Sequence, residues 1–425
     1  VNEHVPRKLP RIAILHYTAP PVVGGVEAVI LAHAQTLIEA GYPVTIVAGW
    51  GEAEALPEGV DLVLVPEIDS QDAEIARMSA QLEQGRVPSG FKAMSEQLGE
   101  TLAPVLSRFD NLIVHNVFSK HFNLSLTAAL CHLLDRGELP HCIAWCHDFS
   151  WTSPSSSSKV HSGHPWDLLR TLRSDLTYVV VSQHRQKELA GLFGCPVEEI
   201  HVVYNGVDPQ ALLGLSPEGV ALVERLGLLE QDLVLLMPVR ITQAKNIEYA
   251  LRVVAALKAR GCRTRLVLTG PPDPHDAESM AYYRSLQRLR QELAVEEEMR
   301  FVFGSGTDPN EPHPIDAGVV GDLFRVSDLV FMPSHREGFA MPVLEAGMAG
   351  IPVVCTKVPA AVEIGGEDVI VFDQGEAPDR LAGRILAWAE GSTVHRFRRR
   401  VRQNYTWQTL VRRELVPLLR RRGNA

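Results

Sequence analysis

HREGFAMPVLEAGMAGIPVVCT, residues 335–356, sets two carboxylates, Glu337 and Glu345, around a loop that turns straight into a small-residue helix. DLVFMPS (328–334) precedes it and IPVVC (351–355) closes it, two apolar runs that read as buried strands. The glutamates therefore fall at the carboxyl end of a parallel strand, where open α/β sheets bind ligands. Pro342 suits a first helical turn, so the helix opens between Met341 and Glu345. Backbone N–H groups of Gly338, Phe339, Ala340 and Met341 are then free to meet a phosphate or a sugar. A carboxylate repels phosphate, so Glu337 and Glu345 are matched instead to the vicinal hydroxyls of a hexose or a ribose. A helix-dipole role would account for Glu345 but not for Glu337.

Strands and helices alternate outward from this stretch. In the first half RIAILHY (11–17), PVTIVAG, DLVLVPE, NLIVHNV, HCIAWCHD, TYVVVS and HVVYNG read as strands. Helical segments separate them, including 26–40 and an amphipathic stretch at 71–107 broken at GRVPSG. A second series runs from DLVLLMPVR (232–240) through TRLVLTG, MRFVFG, DLVFMPS and IPVVC to DVIVF. Such alternation means parallel sheets with helices on both faces. The polar stretch 208–230 marks the boundary, giving domains at 1–207 and 208–404, two Rossmann-like halves facing across a cleft. SWTSPSSSSKVHSGHP (150–165) reads as an exposed loop, a bare insertion or an acceptor lid.

Bulk properties narrow the function. A chain of 425 residues, 46% hydrophobic and 22% charged, has the composition of a two-domain soluble protein. Its net charge of -10 argues against nucleic-acid binding. The arginines at 396, 398, 399, 400, 402, 412, 413, 420, 421 and 422 are read as a solvated helix face rather than a polyanion or lipid-headgroup site. The six cysteines form no even framework, and Cys131, Cys142 and Cys146 lack a zinc-knuckle spacing, so no metal site is expected. No charged-then-apolar leader is read at the start, and no run approaches the ~20 apolar residues of a spanning helix. The expected compartment is reducing cytoplasm, without stable membrane insertion.

Two further loops carry chemistry. GGVE (24–27), between the first strand and first helix, lets backbone approach an anion, yet lacks the GxGxxG spacing of a dinucleotide dehydrogenase. MPVRITQAKN places Arg240 and Lys245 at a strand end, where a fork and a point charge can converge on one diphosphate.

REGFAMPVLEAGMAGIPVV resembles the E-x7-E signature of retaining nucleotide-sugar glycosyltransferases of the family 4 type, which have the GT-B fold. GGVE, the His147–Asp148 pair, VVYNGVD (202–208) and the Arg240–Lys245 pair extend the resemblance over nearly the whole chain. It implies that Arg240 and Lys245 hold the donor diphosphate and that Glu337 binds the donor sugar, with Gly338, Phe339, Ala340 and Met341 close by. Glu345 would take the ribose. Gly24 and Gly25 would bring backbone to the phosphate, His147 would sit against the sugar, and Asn205 would line the cleft. Asp148 could orient His147. The C-terminal helix at about 405–422 would pack back on the first domain, anchored by Trp407.

Two departures stand out: Ala340 replaces a glycine of the GFGLPV pattern, and Asn246 stands where glycine is common. The implied activity is hexose transfer from GDP-mannose or a UDP- or ADP-glucose type donor to a hydroxyl acceptor. No cofactor is implied. No DxD appears, since DPHD (273–276) has the wrong spacing, so transfer is expected to be metal-independent. The base would meet the 304–320 loop, and the acceptor is expected to be small and soluble rather than a lipid. An epimerase of the same fold and a catalytically silent sugar-nucleotide binder are the competing readings.

Overall fold

The computed structural model describes residues 9–420 apart from 274, 276–277 and 307–311. Arg421 and Arg422, two residues of DPHD and the middle of the 304–320 loop thus lie outside the described residues. The chain divides into two compact units, Val1–Gly206 with Trp407–Ala425, and Val207–Thr406.

The first unit holds seven parallel strands: β1 (Ile12–Leu15), β2 (Val44–Ala48), β3 (Val60–Leu64), β4 (Asn111–His115), β5 (His141–Cys146), β6 (Leu176–Val180) and β7 (Ile200–Val202). Their order is β3-β2-β1-β4-β5-β6-β7. Ile12 pairs with Val44 on one side and Asn111 on the other. Central strands buried on both faces explain the unbroken apolar runs. Ile12 and Ile14 pack with Ile30, Leu37 and Trp145 on one face. Ala13 and Leu15 pack with Leu98, Leu126 and Leu130 on the other. Val411, Leu415 and Leu418 of the C-terminal segment join the Ile12 face. Gly206 makes room for that segment, because a Cβ there would stand 2.8 Å from the Trp407 backbone nitrogen.

The second unit holds six parallel strands: β8 (Leu233–Met237), β9 (Thr264–Leu268), β10 (Met299–Phe301), β11 (Leu329–Met332), β12 (Val353–Thr356) and β13 (Ile370–Phe372). Their order is β10-β9-β8-β11-β12-β13. Both sheets reverse direction of growth once, between β1 and β4 and between β8 and β11. Such switch points, at the strand carboxyl ends, are the general ligand position of open α/β sheets.

Two sequence expectations are corrected, and the polar stretch at the boundary proves to be ordered. The polar stretch after 208 is structured as helices Pro209–Leu213 and Pro217–Arg225. The Asp322 carboxylate fixes it, accepting hydrogen bonds from the Ser216 amide (3.0 Å) and hydroxyl (2.6 Å). The serine-rich segment after Phe149 is not simply exposed. Ser150, Ser156 and Val160 are buried, and Val160 and Trp166 pack with Ile75, Met78 and Phe91. A few large apolar residues outweigh the polar composition around them.

The arginine series is likewise not one solvated face. Arg402 is buried against Asp328 at 3.1 Å, Arg399 pairs with Asp232 at 3.0 Å, and Arg398 donates to the Ser327 carbonyl at 2.9 Å. All six cysteines are free thiols, and Cys131, Cys142, Cys146 and Cys355 are buried.

Candidate functional site

In the second unit, the loops leaving β8 and β11 meet at the switch point. The His335 amide donates to the Ala244 carbonyl at 2.8 Å and ties them together. Across that tie, Lys245 Nζ donates to both Glu337 carboxylate oxygens at 2.8 Å. The side chains retain only 21% and 7% exposure, so the pair is shielded from solvent. Ion pairing in such surroundings is stronger than at an open surface.

This pairing changes the electrostatics expected from sequence. Lys245 neutralises Glu337, so the carboxylate no longer repels a nearby phosphate on its own. Arg240 stands apart from the pair, 59% exposed and 3.8 Å from Asp273. Gly338, Phe339 and Met341 are exposed at the start of the helix Met341–Ala349, and Glu345 is exposed one turn further on. Glu345 makes no ion pair among the described residues.

The two departures from the family pattern fall on one kind of backbone. Ala340 has φ 64 and Asn246 has φ 51, both left-handed. Glycine takes that conformation without a Cβ clash, asparagine tolerates it, and alanine meets a cost of roughly 1–2 kcal/mol. Ala340 is also buried, and its methyl packs with Val343 and Met332. The backbone geometry that glycine serves is therefore present in this chain without glycine.

In the first unit, histidines end three adjacent strands or their exits: His16 after β1, His115 on β4 and His147 after β5. The motifs AILHY, LIVHN and AWCHD carried this signal, but only His147 was singled out. His115 Nδ1 and His147 Nε2 lie 3.0 Å apart, and the His147 amide donates to Asn116 Oδ1 at 2.9 Å. Contrary to the expectation from sequence, Asp148 does not orient this imidazole; its carboxylate pairs with Arg185 at 2.7 Å. His33 packs edge-on against Trp145 and Trp407.

Glu27 of GGVE was also missed. It accepts from the Thr18 hydroxyl at 2.8 Å and lies 3.6 Å from His16 Nε2. The His16 imidazole, followed by the Thr18 hydroxyl, holds the Glu27 carboxyl down at about 2 against its burial. A Cβ at Gly24 would stand 2.2 Å from Glu27 Oε2 and would displace that carboxylate, whereas Gly25 opens to free space. Asn205 is exposed. Among the described residues no three His, Cys, Asp or Glu side chains gather to hold a metal ion.

Burial keeps His33, His115 and His147 neutral. It pushes His33 down to about 3 and His147 to about 4, and holds His115 well below its ordinary value. The unfolded chain takes up protons near pH 6.5 while the fold does not, so stability falls as pH drops below about 6.5. Each of His33 and His147 contributes a loss of about 2 kcal/mol at pH 5. Glu27 adds nothing in this window, because its stabilisation is lost only as pH falls from the ordinary carboxylate range toward 2. Calorimetry should show a clear drop in Tm from pH 7 to pH 5, with a shallower drop in His33→Gln. A level Tm would contradict neutral burial.

The chain matches the family described as Glycosyltransferase Family 4 over residues 23–211. It matches the family described as Glycosyl transferases group 1 over residues 221–406. An uncharacterized glycosyltransferase of Methanocaldococcus jannaschii is 26% identical over 257 residues, 59% of this chain and 61% of that protein. A D-inositol 3-phosphate glycosyltransferase of Saccharomonospora viridis is 29% identical over 237 residues, 54% of this chain and 52% of that protein. One from Catenulispora acidiphila is 31% identical over 206 residues, 47% and 46% of the two chains. The chain thus spans about half the length of the curated relatives it matches. Among solved structures, a glycosyltransferase from Rickettsia africae aligns over 98% of this chain and 100% of its own, at 16% identity and a TM-score of 0.38. With one of these domains following the other along nearly its whole length, the chain belongs to the glycosyltransferases of the family 4 and group 1 type.

Proposed function

We propose that the chain moves a hexose from a nucleoside-diphosphate sugar to a hydroxyl of a small soluble acceptor, with retention of anomeric configuration and without a metal. The observation that carries this reading is the shielded Lys245–Glu337 pair at the β8/β11 switch point, beside the exposed start of the helix Met341–Ala349. A cation to meet a diphosphate and a carboxylate to meet sugar hydroxyls stand in one place, next to backbone N–H groups that find no partner among the described residues. Donor binding then divides Lys245 between Glu337 and the diphosphate.

In the reaction the bond from the anomeric carbon to the phosphate oxygen breaks. The acceptor oxygen bonds to the same face, and its proton passes to the departing phosphate. Arg240 and Lys245 stabilise the negative charge that grows there. Glu345 is assigned to the ribose, and His147, Gly24, Gly25 and Asn205 to the donor through the first unit. His147 would act as a neutral hydrogen-bonding group, consistent with its lowered pKa.

The relatives named for D-inositol 3-phosphate favour a small polyol acceptor over a lipid. Donor bases and sugars are open to a direct test. A thermal-shift panel of GDP-, UDP- and ADP-sugars should raise Tm with one nucleotide above the rest. Transfer of that sugar, with the product anomer assigned by NMR, would then establish the reaction. A donor converted to another sugar in the absence of acceptor would indicate an epimerase, and no stabilisation by any nucleotide sugar would defeat the proposal. Activity should also survive exhaustive EDTA treatment; loss restored by magnesium or manganese would overturn the assignment of charge stabilisation to Arg240 and Lys245.

A further inference from the structure

The helix Thr393–Asn404 presents its faces in an unusual sense. Its buried side chains are His395 and Arg402, both turned to Asp328, while Val394 and Phe397 stand 76% and 58% exposed. Val394, Phe397 and Val401 follow at i, i+3 and i+7, one stripe of the helix. With Val207, Pro209 and Leu212 they line an apolar cavity of about 570 Å³, and Leu212 is itself 75% exposed. A helix that buries ions and exposes its apolar stripe has a surface still to be covered.

Arg396 and Arg400, four positions apart, flank the stripe and are exposed. The Arg400 guanidinium lies 5.2 Å from the Phe397 ring centre. Among the described residues neither arginine is paired with a carboxylate. The neighbouring acids are engaged: Asp208 accepts from the Gln210 and Ala211 amides, and Glu224 accepts from the Gln210 side chain.

We propose that this face of the second unit docks on a membrane leaflet containing anionic phospholipid. Phe397, Val394 and Leu212 would enter the acyl boundary, and Arg396 and Arg400 would lie at the phosphate headgroups. Arg396 donates to the Glu390 carbonyl, so its charge is not neutralised by a carboxylate, and apolar side chains bordered by such cations are the pattern of a helix lying in the interfacial plane. Local positive charge on a chain of net charge -10 adds direction to the contact. A second copy of the chain is disfavoured, because an isologous contact would bring the uncompensated arginines of both copies into one interface. Nucleic acid would leave the exposed Val394, Phe397 and Leu212 without a partner. No described helix is long and apolar enough to cross a membrane, so the contact is peripheral.

The test is co-sedimentation of the full chain with vesicles of phosphatidylcholine mixed with phosphatidylglycerol, and with phosphatidylcholine alone. Binding should favour the anionic vesicles and weaken as salt is raised. Arg396→Gln and Arg400→Gln should each weaken it about fivefold. Phe397→Ser should weaken it by roughly tenfold or more. These positions are exposed, and unchanged melting curves would show the variants folded. Absence of binding, or equal binding to both vesicle types that the arginine variants leave intact, would overturn the proposal. So would self-association in sedimentation velocity that Phe397→Ser abolishes, which would give the surface to a second copy.

Discussion

Lys245→Ala is expected to lower sugar transfer at saturating donor by on the order of 100-fold or more, through lost leaving-group stabilisation. Arg240→Ala should lower it on the same scale, but the two variants should differ in stability. Arg240 is mostly exposed and 3.8 Å from Asp273, so its removal strands no buried charge. Lys245 is the hydrogen-bonding partner of both oxygens of a nearly buried Glu337. Removing it leaves that carboxylate unpaired, at a cost of about 1–3 kcal/mol. Adding Glu337→Gln to Lys245→Ala should therefore restore Tm while leaving turnover low. Wild-type turnover in either single variant would remove that residue from the proposed mechanism. A double variant that regained turnover would show that Lys245 serves only to neutralise the Glu337 charge, and would remove both residues from the proposed mechanism.

This difference between Arg240 and Lys245 also marks where sequence reading reaches its limit. The α/β class and the two parallel sheets were legible because doubly covered strands appear as unbroken apolar runs, as in IAIL, LVLLM and LVFM. Arg240, Lys245 and Glu337 stood out because they follow such runs directly. What local sequence could not supply was the pairing. Lys245 and Glu337 are 92 positions apart and meet because β8 and β11 are neighbours in the sheet. The same holds for His16, His115 and His147, whose strands β1, β4 and β5 are adjacent only in the folded order.

Composition misled for a related reason. Averaged over sixteen residues, the segment after Phe149 is polar, yet Trp151 and Val160 within it and Trp166 just after it pack into an apolar cluster. In the arginine-rich helix, the number of cations said nothing of which one faces Asp328. Partner identity is a tertiary property, and a count of charges does not contain it.

Asp328→Asn should be the most destabilising single change in the second unit outside its apolar core, costing about 3–5 kcal/mol. Asp328 and Arg402 are both nearly buried, with the Arg402 guanidinium 3.1 Å from Oδ2 and His395 Nδ1 3.5 Å from Oδ1. Burial raises the Asp328 pKa, but His395 and the Arg402 charge outweigh it, and the carboxyl is held below its ordinary value. Its stabilisation is therefore present above the ordinary carboxylate range and is lost as pH falls through the lowered value. Asparagine keeps an oxygen to accept from the Val234 amide, which now bonds Oδ2 at 2.8 Å, but leaves Arg402 charged and uncompensated. The cost should then lie in the stranded cation rather than in the lost backbone contact. Adding Arg402→Met to Asp328→Asn removes that cation and should recover most of the loss in Tm, because a buried ion pair is often replaceable by apolar packing although it cannot be halved. A double variant no more stable than Asp328→Asn would mean that the hydrogen bond from Arg402 to the Gln231 carbonyl, at 2.8 Å, is what fastens the helix Thr393–Asn404 to the sheet.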